Sequence, residues 1–148
     1  MDGFMKAALD EARAGAAEGG IPIGAALVDS GGRLVATGRN RRLQDRDCVM
    51  HGEINCLNNA GKSVQDFRGM TMYSTLMPCS MCAGAIVLFG INKVVVAESE
   101  SYTVPTGHEL MLRNGVEVID LDLDEAKQLM GEFMEQNPLQ WARDSGQE

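Results

Sequence analysis

The sequence predicts an α/β fold: a three-layer α/β/α sandwich on a central mixed five-stranded sheet, in one domain spanning residues 1–148. Three observations carry this expectation. Strand-like and helical runs alternate through the second half of the chain, as layered α/β architectures require. An early pair of β-type runs is joined by a turn rich in residues that accept positive φ, the mark of an antiparallel hairpin. The contiguous Val94-Val95-Val96 reads as a strand buried on both faces. With 45% apolar residues, 148 positions are enough for one sizeable core.

Taken in order, residues 4–17 form a helix in which small apolar side chains alternate with Lys6, Asp10, Glu11 and Arg13, and Gly19-Gly20 ends it. Residues 23–29 and 34–38 are the hairpin strands around Ser30-Gly31-Gly32. Residues 54–60 read as a helix closed by Gly61, with His51 and Glu53 in its first turn. A short strand over 71–76 runs into Pro78, which is expected to open the next helix because proline has no N–H to lose there. Residues 93–97 are a strand, 104–114 contain a short helix, and 116–121 are the last strand. A helix over 122–136 is expected to be capped by Asp122 or Asp124. Pro138 then interrupts, leaving 139–144 as a tail with the only tryptophan, Trp141.

The chemistry resides in His51-Gly52-Glu53 and, 25 residues later, Pro78-Cys79-Ser80-Met81-Cys82. Cys79 and Cys82 lie about 300° apart on a helical turn and face one side, so one metal ion can take both sulfurs. The positive end of a helix favours thiolates there. His51 and Glu53 are about 200° apart on an ideal helix, so both reach one metal only if it lies beyond the helix N-terminus. Two thiolates and a neutral imidazole balance Zn²⁺ and leave one tetrahedral position open for water. Glu53, not needed as a ligand, is the candidate proton shuttle. His-x-Glu followed by Pro-Cys-x-x-Cys is the signature of zinc nucleobase deaminases.

Two other readings of these residues stand beside this one. A redox dithiol would use Cys79 and Cys82 but has no need of His51 and Glu53. A closed structural zinc would draw a fourth ligand from Cys48, Cys56 or His108 and leave Glu53 without a task. Cys48 and Cys56 are otherwise expected to be buried free thiols, and the compartment a reducing cytoplasm. A net charge of −8 and a pI near 4.7 oppose binding to phosphate backbones, so no nucleic-acid partner is expected. The arginines at 39, 41, 42 and 46 read as a solvated loop, with an edge of the site or a subunit contact as the alternative. No signal peptide and no membrane span are expected.

The segments GGIPIGAALV, GRNRRLQ, HGEINCLNNAG, YSTLMPCSMCAGAIVLFGINKVVVAES and the ending WARDSG extend beyond the metal motif. Through them the sequence resembles the cytidine deaminase-like superfamily, and within it the fungal-type cytosine deaminases, over nearly the whole chain. The resemblance implies a homodimer, one catalytic zinc ion per chain, and hydrolysis of cytosine to uracil and ammonia. Isocytosine and guanine are the same-class alternatives, followed by tRNA adenosine; a non-catalytic zinc-stabilised binding protein is the alternative of another class. Carried over by position, Glu53 would protonate the ring nitrogen and the departing ammonia. Asn40 and the backbone of Gly52 would hold the ring carbonyl, and Asp144 the amino group. Trp141 would close the pocket, Tyr102 form an aromatic wall, and Ile23 and Leu76 an apolar lining. Two departures stand out: Tyr102 where phenylalanine is expected, and Met77 in place of a small or polar residue.

Overall fold

The computed structural model describes residues 2–102 and 106–146. Helix α1 (Gly3–Ala17) starts where the Asp2 carboxylate accepts the N–H groups of Phe4 and Met5 at 2.7 and 3.2 Å, a side-chain N-cap. Met5, Ala8, Leu9, Ala12 and Gly15 recur every three or four residues and are its buried face. Strands β1 (Gly24–Val28) and β2 (Leu34–Arg39) form the antiparallel hairpin. They are followed by α2 (Arg42–Asp45), α3 (Gly52–Ala60), β3 (Thr71–Ser74), α4 (Ser80–Leu88) and β4 (Lys93–Val96). The chain continues through α5 (His108–Arg113), β5 (Glu117–Asp120), α6 (Asp124–Gln136) and α7 (Pro138–Ser145).

The strands make one five-stranded sheet in the order β2-β1-β3-β4-β5. β1 is antiparallel to β2 and β3, whereas β3, β4 and β5 run parallel, so the sheet is mixed as expected. Alternation along the strands divides the core in two. Ala25, Leu27, Met72, Val94 and Val96 pack with Cys56 and Leu57 of α3, Ala83 and Ile86 of α4, and Met111 of α5. Ala26, Val28, Tyr73, Val95 and Ala97 pack with Met5, Ala8 and Leu9 of α1 and Ala126 of α6. Helices therefore cover both faces. A third cluster, including Ile21, Ile23, Leu76, Phe133 and Trp141, closes the end of the sheet where β1 begins and β3 ends.

Several local expectations are corrected. α3 begins at Gly52 with His51 as its N-cap residue, so His51 precedes the first turn. α4 begins at Ser80 with Cys79 as N-cap, and Pro78 lies outside the helix. Neither aspartate caps α6: Leu123 is the N-cap residue, Asp124 is already helical, and Asp122 is left-handed (φ 53°) with its N–H on Asp120 Oδ1. The tail is a helix because Pro138 occupies its first position, where a missing N–H costs nothing. The expected helix within 104–114 is His108–Arg113; residues 104 and 105 lie outside the described residues. Cys56 is buried as expected, but Cys48 is exposed, in a surface turn. No helix among the described residues is long and apolar enough to cross a membrane.

Gly38 of β2 permits the close approach of α3: a methyl group there would fall on the backbone of Cys56. Gly38→Ala must therefore push away the helix that carries Glu53, and a loss of about 2–3 kcal/mol is expected from overpacking. Gly131→Ala in α6, where a methyl meets nothing, should instead gain about 0.5–1 kcal/mol of helix propensity. Thermal or urea unfolding of the two variants checks both signs.

Candidate active site

The connection after β3 is held at each step. The Ser74 hydroxyl donates to the Leu76 carbonyl at 2.7 Å, Met77 N–H to the Glu98 carbonyl at 3.0 Å, and Gly107 N–H to the Pro78 carbonyl at 3.0 Å. Cys79 is thereby delivered as the N-cap of α4, with Cys82 in the first turn behind it. On the other side, His51 N-caps α3, whose entry is packed so closely that a methyl on Gly52 would stand 3.2 Å from the Ile23 carbonyl oxygen. Two helix N-termini thus converge on one point.

The ligand atoms of His51, Cys79 and Cys82 all lie within 4.8 Å of one another, and Cys79 Sγ stands 3.5 Å from His51 Nδ1. Sulfur and nitrogen donors around one tetrahedral zinc ion are separated by about 3.5 Å, so the spacing and the donor set both fit zinc. Among the described residues no fourth histidine, cysteine or carboxylate joins the group. Cys48, Cys56 and His108 therefore do not close it, and one coordination position is left for a water or substrate atom. Glu53 is 4% exposed and its carboxyl is hydrogen-bonded with the Cys82 thiol.

Burial pushes the Glu53 carboxyl up to about 7; a negative Cys79 adds to the rise and a charged His51 opposes it. A carboxyl poised near neutrality is suited to take up and return a proton. The Cys79 thiol is held down at about 4, first by a hydrogen bond from Cys82 and, against burial, by His51. Cys82 is pushed well up by the same hydrogen bond and by burial. Burial disfavours the charged His51 ring, but Asp144 and Cys79 outweigh it and lift the imidazole to about 10. His51 Nδ1 faces the thiols, while Nε2 lies 3.4 Å from Asp144 Oδ1, a carboxylate placed behind a ligating ring.

A small pocket at this point is lined by Ile23, His51, Glu53, Leu76, Met77, Cys79, Tyr102 and Asp144. Seven of the expected residues thus come together: His51, Cys79, Glu53, Ile23, Leu76, Tyr102 and Asp144. Cys82 completes the ligand group beneath them. Asn40, Gly52 and Trp141 are not among these lining residues but belong to segments that adjoin them. Asn40 is fully buried, its Oδ1 accepts the Arg42 N–H at 2.9 Å, and its Nδ2 has no partner among the described residues. Trp141 meets the edge of Tyr102 with ring centroids 5.6 Å apart, and so backs the aromatic wall. The Tyr102 hydroxyl reaches the Ser145 carbonyl at 3.5 Å.

Met77 proves to be a lining residue, and Arg42 stands at the mouth with Cys48, Tyr102 and Ser145. Of the two readings of the arginines, a solvated loop or an edge of the site, Arg42 meets the second. Arg39 and Arg41 are instead paired with Glu11, Glu18 and Asp45, and Arg42 lies 3.6 Å from Asp144. The available signal was position: Arg42 follows Asn40 by two residues.

The model of the cytidine and deoxycytidylate deaminase zinc-binding region matches residues 1–98. The chain belongs to this deaminase family. It is 39% identical over 145 residues to a cytosine deaminase of Candida albicans, covering 97% of this chain and 95% of that one. A tRNA-specific adenosine deaminase of Haemophilus influenzae is 39% identical over 106 residues, 70% of this chain and 61% of that protein. Among solved structures, a guanine deaminase from Nitrosomonas europaea superposes with a TM-score of 0.76 at 25% identity, covering 88% of this chain and 82% of that one. A tRNA:A34 deaminase does so with a TM-score of 0.69 at 30% identity, covering 79% and 95%. This deaminase therefore has the five-stranded fold, the zinc-binding chemistry and the hydrolytic class of its family.

The protonation pattern has a measurable consequence for metal uptake. Before zinc binds, Cys79 is a thiolate above about pH 4, whereas His51 keeps its proton up to about pH 10 and Cys82 remains a thiol. Zinc must displace the latter two protons, so affinity should fall steeply as pH is lowered and about two protons should leave per ion near neutral pH. Calorimetry in buffers of different ionisation enthalpy counts them. Release of less than one proton would rule out this assignment of the protonated donors.

Proposed function

We propose that this protein is a cytosine deaminase, which hydrolyses the free base to uracil and ammonia. The observation that carries the reaction class is the buried Glu53 carboxyl, which lines one pocket with His51 and Cys79 beside the three-residue group that could hold zinc. The near full-length likeness to a cytosine deaminase favours cytosine as the substrate. A net charge of −8 argues against a tRNA substrate.

Zinc in this site supplies an activated water and a Lewis acid. The chain's own residues do the rest. The free Asn40 Nδ2 donor and the N–H of Gly52, which has no intrahelical acceptor at the start of α3, hold the ring carbonyl. Asp144 accepts from the amino group, Tyr102 backed by Trp141 forms the aromatic wall, and Ile23 and Leu76 keep the ring in plane. Glu53 takes one proton from the attacking water and gives it to the ring nitrogen; it then takes the proton of the newly added hydroxyl, which becomes the second carbonyl of uracil, and passes it to the amine as the C–N bond breaks. Water and cytosine are thus converted to uracil and ammonia with no external acid or base.

Guanine is the second reading, supported by the structural likeness to a guanine deaminase. Ammonia release from cytosine, isocytosine, guanine, adenine and cytidine separates the two. Glu53→Gln should lower turnover by roughly 10²–10⁴-fold while zinc content and melting temperature are retained. An unaffected rate in that variant would eliminate Glu53 as the proton shuttle. A non-catalytic zinc-stabilised protein would release ammonia from none of the bases.

We also infer a homodimer, because α4 and α5 expose Leu88 (77%), Phe89 (42%) and Leu112 (53%). Leu88→Glu combined with Phe89→Glu should halve the mass measured by light scattering; an unchanged mass would place the interface elsewhere. The four unbonded thiols suit a reducing cytoplasm.

A further inference from the structure

Substrate recognition at this site depends on two polar side chains from opposite ends of the chain, Asn40 and Asp144, and one residue touches both. Arg42 donates its backbone N–H to Asn40 Oδ1 at 2.9 Å. That bond occupies the amide oxygen and leaves Nδ2 as the buried, unpartnered atom. The Arg42 guanidinium, 24% exposed, places Nη1 3.6 Å from Oδ1 of Asp144, whose side chain is 3% exposed. This Asp144 oxygen is buried and has no hydrogen-bond partner among the described residues, although His51 Nε2 lies 3.4 Å away on its other side. A carboxylate oxygen so deeply buried is costly unless positive charge stands beside it.

The helix that carries Asp144 also roofs the pocket. Trp141 of α7 abuts Tyr102, the Tyr102 hydroxyl reaches the Ser145 carbonyl, and the space left beneath is about 10 Å³, enough for a single water. The pocket as it stands is smaller than a six-membered ring, and α7 supplies part of its lining. In the structure α7 places Asp144 beside Arg42, and any displacement of α7 would separate the pair and expose the carboxylate to water. Arg39 and Arg41 are engaged by Glu11, Glu18 and Asp45 on the far side of the loop, so they do not compete for Asp144.

We propose that Arg42 is a positioning residue: its guanidinium seats α7 with the Asp144 carboxylate turned into the pocket, while its backbone sets the Asn40 amide. The role assigned to Asp144 in holding the substrate amino group rests on the cytosine deaminase reading; the seating of α7 does not. Closure over the substrate and recognition of its amino group then depend on one ion pair. Arg42→Gln removes the charge and keeps the N–H that orients Asn40, so the two contributions are separable.

The test uses the zinc-loaded protein and two independent readouts. Trp141 is the only tryptophan and lies on α7, so acrylamide quenching of its fluorescence reports the seating of that helix without any substrate. Arg42→Gln should raise the quenching constant at least threefold, and Arg42→Lys should restore most of the protection. In kinetics, Arg42→Gln should lower kcat/KM for cytosine tenfold or more. Its inhibition by pyrimidin-2-one, which keeps the carbonyl edge but lacks the amino group, should weaken severalfold less than kcat/KM for cytosine, because that ligand loses the closure by α7 but no amino contact. Unchanged quenching in Arg42→Gln overturns the proposal whatever the activity. Equal losses for cytosine and pyrimidin-2-one overturn the selective action through Asp144. Wild-type protein that fails to deaminate cytosine refutes the functional reading instead, and the quenching arm still decides the seating of α7.

Discussion

Everything at the catalytic end of this molecule depends on bringing two helix N-termini to within a few ångströms of each other. Backbone N–H groups at a helix start are unpaired and carry partial positive charge, so two such ends repel unless something negative lies between them. Cys79 supplies that charge, held as a thiolate by the Cys82 thiol and His51. A zinc ion bound there would tie sulfur and nitrogen donors from both helix starts together. This meeting point sits at the end of the sheet where β3 hands over to α4 and β1 begins, the edge at which layered α/β proteins gather their ligands.

The packing behind this meeting point serves to keep it in register. α3 lies so close to β2 that only a glycine at position 38 admits its backbone, and the Ile23 carbonyl takes the N–H of Asn40 at 2.9 Å. The 75–78 connection is bonded to β1 through Thr75 and to the end of β4 through Glu98. Most of these are backbone-to-backbone ties. Glu53 sits within this frame, and its desolvation is what raises its pKa into the range useful for proton transfer.

The opposite wall is built differently. Tyr102, Trp141, Asp144 and Ser145 belong to a loop and a short C-terminal helix, and they meet the rest of the site through an aromatic edge, a 3.5 Å hydroxyl contact and an ion pair. Such side-chain contacts are each modest and reversible, unlike strand pairing. The site therefore joins a half held by backbone bonds to a half held by side-chain contacts. The tyrosine hydroxyl, absent from phenylalanine, adds one of these contacts to α7.

Much of this was legible in the chain of residues alone, because short-range chemistry determined it. The spacing of His51, Glu53, Cys79 and Cys82 dictated a metal beyond two helix starts, and the alternating runs dictated a mixed sheet with helices on both sides. What the residues did not disclose depended on neighbours distant in sequence. Pro138 looked like an interruption, yet with Trp141 packed against Ile23 and Leu76 it opens a helix. Arg42 left a solvated loop and an edge of the site both open, because its partner lies 102 positions further on. The N-caps shifted by a residue or two, since helix ends answer to the packing that surrounds them more than to local propensity. Local patterns thus determined which atoms could carry the reaction. Only the tertiary structure decided which of them face one pocket, since burial and opposing charge arise between elements and have no counterpart within any single segment.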